Sequence, residues 1–305
     1  MPFSLKILGS NSATPAYGRH HTAQLLNIGK YHFLIDCGEG TQERLTLFKA
    51  KTLRINHIFI SHLHGDHYLG LMGLLYTMHL LKRTNDLYLF GQKGLQDIIT
   101  TQLKCSDSRL NFRIRFHELN PERPEELFED ELLSVTSFPL SHRIPCCGFL
   151  FKEKEKPFRI NKEKLPQDIS LQNIVLLKQG KDIYDENGNI LYVNKELTLP
   201  PRKARSYAFC SDTKYDEGII EYIKGVDLLY HEATFLADKL KWAELTYHST
   251  TEQAGLIAKK ANVGMLVIGH YSARYKDLTP FLTETKNIFE NTILSIEGET
   301  IEVEA

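Results

Sequence analysis

Seven consecutive residues, Ser61-His62-Leu63-His64-Gly65-Asp66-His67, constrain this chain more than any other stretch. The run before them, His57-Ile58-Phe59-Ile60, is short, β-branched and aromatic and reads as a strand; the run after them, 69–81, is apolar and long enough for a helix. Three imidazoles and a carboxylate therefore fall on one strand-to-helix loop. These are the usual nitrogen and oxygen donors to zinc and similar divalent ions, and four of them within six residues are too dense for a packed core. A polar loop that merely happens to be His-rich would leave their convergence unexplained.

Further strands are expected at 3–8, 22–28 and 31–35, with Gly29-Lys30 as a two-residue hairpin turn, and at 87–90, 112–119 and 132–138. Others follow at 206–210, 227–230 and 265–268. Helices are expected from 41 through 48, over 93–103 and over 251–260, the last with Ser249 or Thr250 as N-cap. Strand after strand ends in a titratable group: Pro139-Leu140-Ser141-His142, Ser211-Asp212-Thr213, His231-Glu232-Ala233-Thr234 and Gly269-His270. A site built at one edge of a layered α/β sheet requires that arrangement. Asp36 reads equally as an acceptor behind an imidazole or as a turn or cap residue. The acidic run 118–131, seven acidic residues against one arginine, reads as a solvated edge.

With 305 residues the chain is one large domain or two, and its net charge of −1 creates no global field for polyanions. Any nucleic-acid site must then be a local patch. Residues 152–205 supply one candidate, with 12 Lys or Arg against 8 Asp or Glu and few apolar residues in a clean period. Asn187-Gly188-Asn189 marks a tight turn inside it. This segment reads as a projecting insertion, either a grip for a phosphate backbone or a solvated arm with no ligand. Five cysteines without a Cys-x-x-Cys pair point to reduced thiols and a cytoplasmic protein. The first residues lack the apolar core of a signal peptide, and no apolar run is long enough to span a bilayer.

The order His62-x-His64-x-Asp66-His67, His142, Asp212, His270 resembles the ligand series of the metallo-β-lactamase superfamily, which implies an αβ/βα four-layer sandwich. Finer markers are Asp36-Cys37-Gly38-Glu39-Gly40-Thr41-Gln42, His231-Glu232-Ala233-Thr234, His248-Ser249-Thr250 and His270-Tyr271-Ser272-x-Arg274-Tyr275. Together they resemble the short form of the ribonuclease Z family, endonucleases that remove 3′ trailers from precursor tRNA.

The resemblance implies two zinc ions per subunit, one held by His62, His64 and His142, the other by Asp66, His67 and His270, with Asp212 bridging. It implies no organic cofactor. Phosphodiester hydrolysis needs a nucleophile at neutral pH and neutralisation of developing charge, which two ions about 3.5–4 Å apart supply. Asp66 is then a proton acceptor, His248 the candidate donor to the leaving 3′-oxygen, oriented by Glu232, and Arg274 a fork for a phosphate. The resemblance further implies one domain over 1–305, with 152–199 as the arm that grips tRNA, and a homodimer in which one subunit's arm serves the other's active site. Pro201-Arg202-Lys203-Ala204-Arg205-Ser206 is similar to the family's Pro-x-Lys-x-Arg-Asn loop, implying substrate contacts from Lys203 and Arg205. Ser206 replaces the loop's last Asn, and the arm lacks a Gly-Pro-rich tip.

Two other readings use the same fold. A hydrolase of small phosphodiesters or sulfate esters would share every ligand without needing the basic arm. A catalytically silent metal-binding regulator would be expected to lose ligands or the proton donor, and neither is lost.

Overall fold

The apolar runs pair into two seven-stranded sheets in the computed structural model, which describes residues 2–304. In chain order the strands begin β1 (Phe3–Gly9), β2 (Ala23–Ile28), β3 (Tyr31–Ile35), β4 (Ile55–Phe59), β5 (Leu87–Gly91) and β6 (Ile114–Glu118). Next come β7 (Glu125–Glu129), β8 (Leu133–Pro139), β9 (Cys147–Glu153) and the short β10 (Arg159–Ile160), β11 (Ile183–Tyr184), β12 (Ile190–Tyr192) and β13 (Thr198–Leu199). The series closes with β14 (Ser206–Cys210), β15 (Leu228–Glu232), β16 (Met265–Gly269), β17 (Thr292–Leu294) and β18 (Thr300–Glu302). One sheet has the order β18-β1-β2-β3-β4-β5-β6, the other β17-β16-β15-β14-β9-β8-β7. Gly29, at φ +58°, turns β2 into β3 and sets the antiparallel register Ile28↔Tyr31.

Aromatic side chains from both sheets fill the space between them, among them Phe33, Phe59, Phe149, Phe151, Phe209 and Tyr230, all essentially buried. Each such side chain contributes roughly 1.5–3 kcal/mol by leaving water. Helices cover the outer faces: Leu71–Leu80 and Leu95–Cys105 on the first sheet, Thr251–Ala261 and Thr279–Ile288 on the second. The result is the αβ/βα sandwich. Thr250 is the N-cap of Thr251–Ala261 and forms a capping box with Gln253.

Four strands of the two large sheets escape the sequence pattern: β7, β9 and the three-residue edge strands β17 and β18. The acidic run contains β7, a sheet edge from which Glu126 and Glu129 face solvent, as edge strands often do. β9 lies between β8 and β14, and its continuous apolar run Cys-Gly-Phe-Leu-Phe lacks the alternation that marks a half-exposed strand.

The insertion leaves the sheet after β9 and returns at the start of β14. It carries the helix Leu171–Lys178, capped by Ser170 Oγ accepting from the Asn173 amide, and the hairpin β11–β12, turned by Gly188 at φ +83°. Leu177, Ile183 and Leu197 form a small core of its own. At its base Arg205 donates to both oxygens of Glu153, at 2.9 and 2.8 Å, and both side chains are buried. Among the described residues no helix is long and apolar enough to cross a membrane.

Candidate active site

The carboxyl ends of β4, β8, β14, β15 and β16 deliver the polar residues to one cleft of ≈ 1010 Å³. After β4 the chain passes through Ser61 and His62 into the short helix Gly65–Tyr68 and then Leu71–Leu80. Gly70 lets this turn press on the Asp36 loop, since a Cβ there would lie 2.1 Å from the Gly38 carbonyl oxygen.

Three ring nitrogens meet on one side. His64 Nδ1 lies 3.0 Å from His62 Nε2 and 3.1 Å from His142 Nε2. On the other side Asp66 Oδ2 lies 3.5 Å from His67 Nε2 and 3.3 Å from His270 Nε2. Asp212 stands between the two sets. Its Oδ2 is 3.5 Å from His62 Nε2 and 3.9 Å from His142 Nε2, while Oδ1 is 3.4 Å from His67 Nε2 and 3.2 Å from His270 Nε2. One carboxylate thus offers one oxygen to each group.

The outer ring nitrogens are anchored so that the inner ones point inward. His67 Nδ1 donates to Asp36 Oδ2 at 2.7 Å, and Asp36 Oδ1 accepts the Ser61 amide at 2.8 Å. His142 Nδ1 donates to the Tyr247 carbonyl at 2.9 Å and His270 Nδ1 to Thr234 Oγ1 at 3.0 Å. These anchors fix tautomer and ring orientation, as metal ligands require. Asp36 and His270 adopt φ +54° and +62°, a backbone conformation uncommon for non-glycine residues and concentrated at functional sites.

Charge and burial fit a divalent cation. Burial, reinforced by neighbouring imidazoles, pushes His62 well below its ordinary pKa and His64 down to about 4, so both are neutral with free lone pairs at pH 7. For His67, burial is outweighed by Asp212, Asp66 and Asp36, which raise its pKa well above the usual range. That field favours positive charge at the centre. His67 Nε2 and Asp212 Oδ1 are buried with no hydrogen-bond partner, a cost that an ion between them would remove. The donor set of imidazole nitrogens and carboxylate oxygens suits zinc and other first-row divalent metals.

His248 lines the cleft beside these groups, its Nδ1 2.9 Å from Glu232 Oε1. Burial disfavours charging this ring, but Glu232 and Asp212 outweigh it and hold the pKa up at about 9. Glu232 is fully buried and also accepts from the amides of Thr213, Thr234 and Ser249. His231 points away, donating from Nδ1 to the Glu232 carbonyl. Arg274 lines the cleft, with no side-chain hydrogen bond or ion pair among the described residues.

Lys203 and Arg205 are not brought to this cleft. They precede β14, whose other end carries Asp212, so the length of the strand separates them from the ligands. Lys203 pairs with Asp227 and Arg205 with Glu153, which commits both charges to the base of the insertion.

Sequence reasoning assigned no role to four groups that shape the site. Thr234 links Glu232 Oε2, at 2.7 Å, to His270, and its only signal was its place in the His231–Thr234 motif. The Tyr247 carbonyl and the Ala13 amide, which donates to Asp66 Oδ2 at 2.8 Å, are main-chain groups that no residue type announces. Arg143 Nη2 lies 3.0 Å from His64 Nε2 and follows His142 directly.

Known proteins share the whole chain. Ribonuclease Z of Cytophaga hutchinsonii is 52% identical over 303 residues, 99% of this chain and 97% of the relative. Ribonuclease Z of Bacteroides fragilis strain YCH46 is 44% identical over 97% of each chain. The chain belongs to the ribonuclease Z family. The crystal structure of human tRNase Z, short form, matches with a TM-score of 0.73 at 27% identity, covering 99% of this chain and 100% of that one. The metallo-beta-lactamase fold protein YhfI from Bacillus subtilis matches at 0.70 with 17% identity over 99% of this chain and 100% of its own, a likeness of fold alone. Residues 3–160, just over half the chain, match the family model described as Anti-Pycsar protein Apyc1, and this half belongs with that family. That match ends before Asp212, His248 and His270, whereas the ribonuclease Z relatives extend across them.

Proposed function

We propose that this protein is a divalent-metal-dependent endoribonuclease that removes 3′ trailers from precursor tRNA. It cuts the phosphodiester just after the discriminator base and leaves a 3′-hydroxyl on the tRNA. The observation that carries this reading is Asp212, whose two oxygens address two separate sets of ligand atoms beside the His248–Glu232 pair. We assign His62, His64 and His142 to one zinc ion and Asp66, His67 and His270 to a second, with Asp212 shared. Two such ions, when bound, would supply an activated water near neutral pH and would neutralise charge on the phosphoryl oxygens.

The chain's own residues move the protons. Asp66, at the edge of the cleft beside His67 and His270, is the residue we assign to take the proton of the attacking water. Against the cost of burial, Glu232 stabilises the charged His248 ring, which delivers its proton to the leaving 3′-oxygen. Glu232 engages Nδ1, so the ring keeps one orientation throughout. Arg274 offers its guanidinium to the scissile or a neighbouring phosphate.

The arm, 152–199, is the second contact with tRNA, and 1–305 forms one domain around the site. A homodimer lets the arm of one subunit reach the cleft of the other, and the cytoplasm is where precursor tRNA is met. Incubation of the zinc-loaded protein with a precursor tRNA, with the ends mapped, tests the reading: one cut past the discriminator base supports it, and an intact transcript refutes it.

A further inference from the structure

The helix Leu240–Thr246 turns apolar groups outward at the mouth of the cleft. Trp242 is 44% exposed and Leu245, one turn on, 70% exposed. A short helix that served only to cover the sheet would bury such side chains, and clustered exposed apolar groups mark a contact surface. Trp242 is the single tryptophan of the chain.

Its ring does not stand alone. The Arg274 guanidinium carbon lies 5.2 Å from the Trp242 ring and 5.8 Å from that of Phe235, and the Phe235 ring meets His248 edge-on at 6.1 Å between centroids. A ladder of flat groups therefore leads from solvent to the proton donor. Arg274 makes no side-chain hydrogen bond or ion pair among the described residues, so its flat cation is held by aromatic faces while its N–H groups are left for an anion. An apolar ring next to such a guanidinium, at the entrance to a cleft of metal-ligating groups, matches a nucleotide: a base to stack and a phosphate to bind.

We propose that Trp242 is a substrate-positioning residue that stacks the base of a nucleotide flanking the scissile phosphate, with Leu245 beside it and Arg274 on the phosphate. The proposal rests on an RNA phosphodiester being the substrate. Stacking accepts any base, because every base has a π-face, and is worth about 1–3 kcal/mol, roughly 5- to 150-fold in affinity. It orients a flexible single strand without adding charge to the cleft.

Tryptophan fluorescence of the full-length protein reads this directly. Titration with a single-stranded RNA pentamer quenches the signal saturably, and an abasic pentamer of equal charge binds roughly 5-fold or more weakly. With precursor tRNA, Trp242→Ala raises KM roughly 5- to 30-fold while kcat stays within about twofold, Trp242→Phe restores most of the loss, and Trp242→Leu does not. Equal binding of both pentamers, an unchanged KM in Trp242→Ala, or full rescue by leucine overturns the proposal. The pentamer titration uses the unaltered protein, so it decides the stacking even where Trp242→Ala fails to fold. Base-dependent quenching by a protein that leaves precursor tRNA intact would uphold the stacking and sink the functional reading instead.

Discussion

Glu232 Oε1 sits 2.9 Å from His248 Nδ1 in a fully buried position, so the ring that faces the cleft is charged and aimed by a carboxylate that water does not reach. The pair joins the carboxyl end of β15 to the loop before the helix Thr251–Ala261.

Removing that carboxylate lowers the pKa of His248 from about 9 toward its ordinary value, because burial then acts with less opposition. With His248 as the proposed proton donor, the alkaline limb of the pH–rate profile moves to lower pH in Glu232→Gln. His248→Ala costs about 10²–10⁴ in kcat, the usual scale of a lost proton donor. A profile with the same alkaline limb in Glu232→Gln contradicts the assignment.

Asp36 accepts from His67 Nδ1 and from the Ser61 amide without touching the inner ligand atoms. Asp36→Asn replaces one acceptor oxygen with a donor, and metal affinity should fall roughly 10- to 100-fold. Competition with a chromophoric chelator measures this, and unchanged affinity argues against the anchor.

Asp212 faces both ligand groups and His142 only one. His142→Ala should therefore weaken one ion and leave the other in place, whereas Asp212→Ala lowers both. Metal content after dialysis, read by elemental analysis, distinguishes this from a single site, for which the two variants behave alike.

At the base of the insertion, burial raises the Glu153 pKa but Arg205 and Lys156 overcome it and hold the carboxyl at about 2. The folded state binds that proton more weakly than the unfolded chain, so the pair's stabilisation is complete above pH about 4.5 and is lost as pH falls toward about 2. Glu153→Gln removes the carboxylate that Arg205 and Lys156 share and should cost roughly 1.5–3 kcal/mol near neutral pH, with less acid dependence in that window. Chemical denaturation at several pH values tests both.

Much of the site was legible because its chemistry is carried by side chains in dense motifs. The His62–His67 run, His142, Asp212 and His270 meet in one place, as the family resemblance implied, and Asp36 proved to be an imidazole acceptor rather than a helix cap. The unreadable part has physical causes. Thr234 has an ordinary side chain, the Tyr247 carbonyl and the Ala13 amide belong to the main chain, and the positive φ of His270 leaves no mark in composition. In the fold, β9 was hidden by burial on both faces and β7 by its glutamates. Lys203 and Arg205 lie away from the cleft: the end of β14 they occupy and the partners Asp227 and Glu153 place them at the root of the arm, a position that the motif alone does not disclose.

The most direct measurement maps the product ends when the zinc-loaded protein meets a precursor tRNA with a 3′ trailer. A single cut just past the discriminator base, with a 3′-hydroxyl on the tRNA and a rate at least about 100-fold lower in His248→Ala, is the predicted result. An intact transcript, scattered cuts, or a His248→Ala rate equal to that of the unaltered protein would contradict the account.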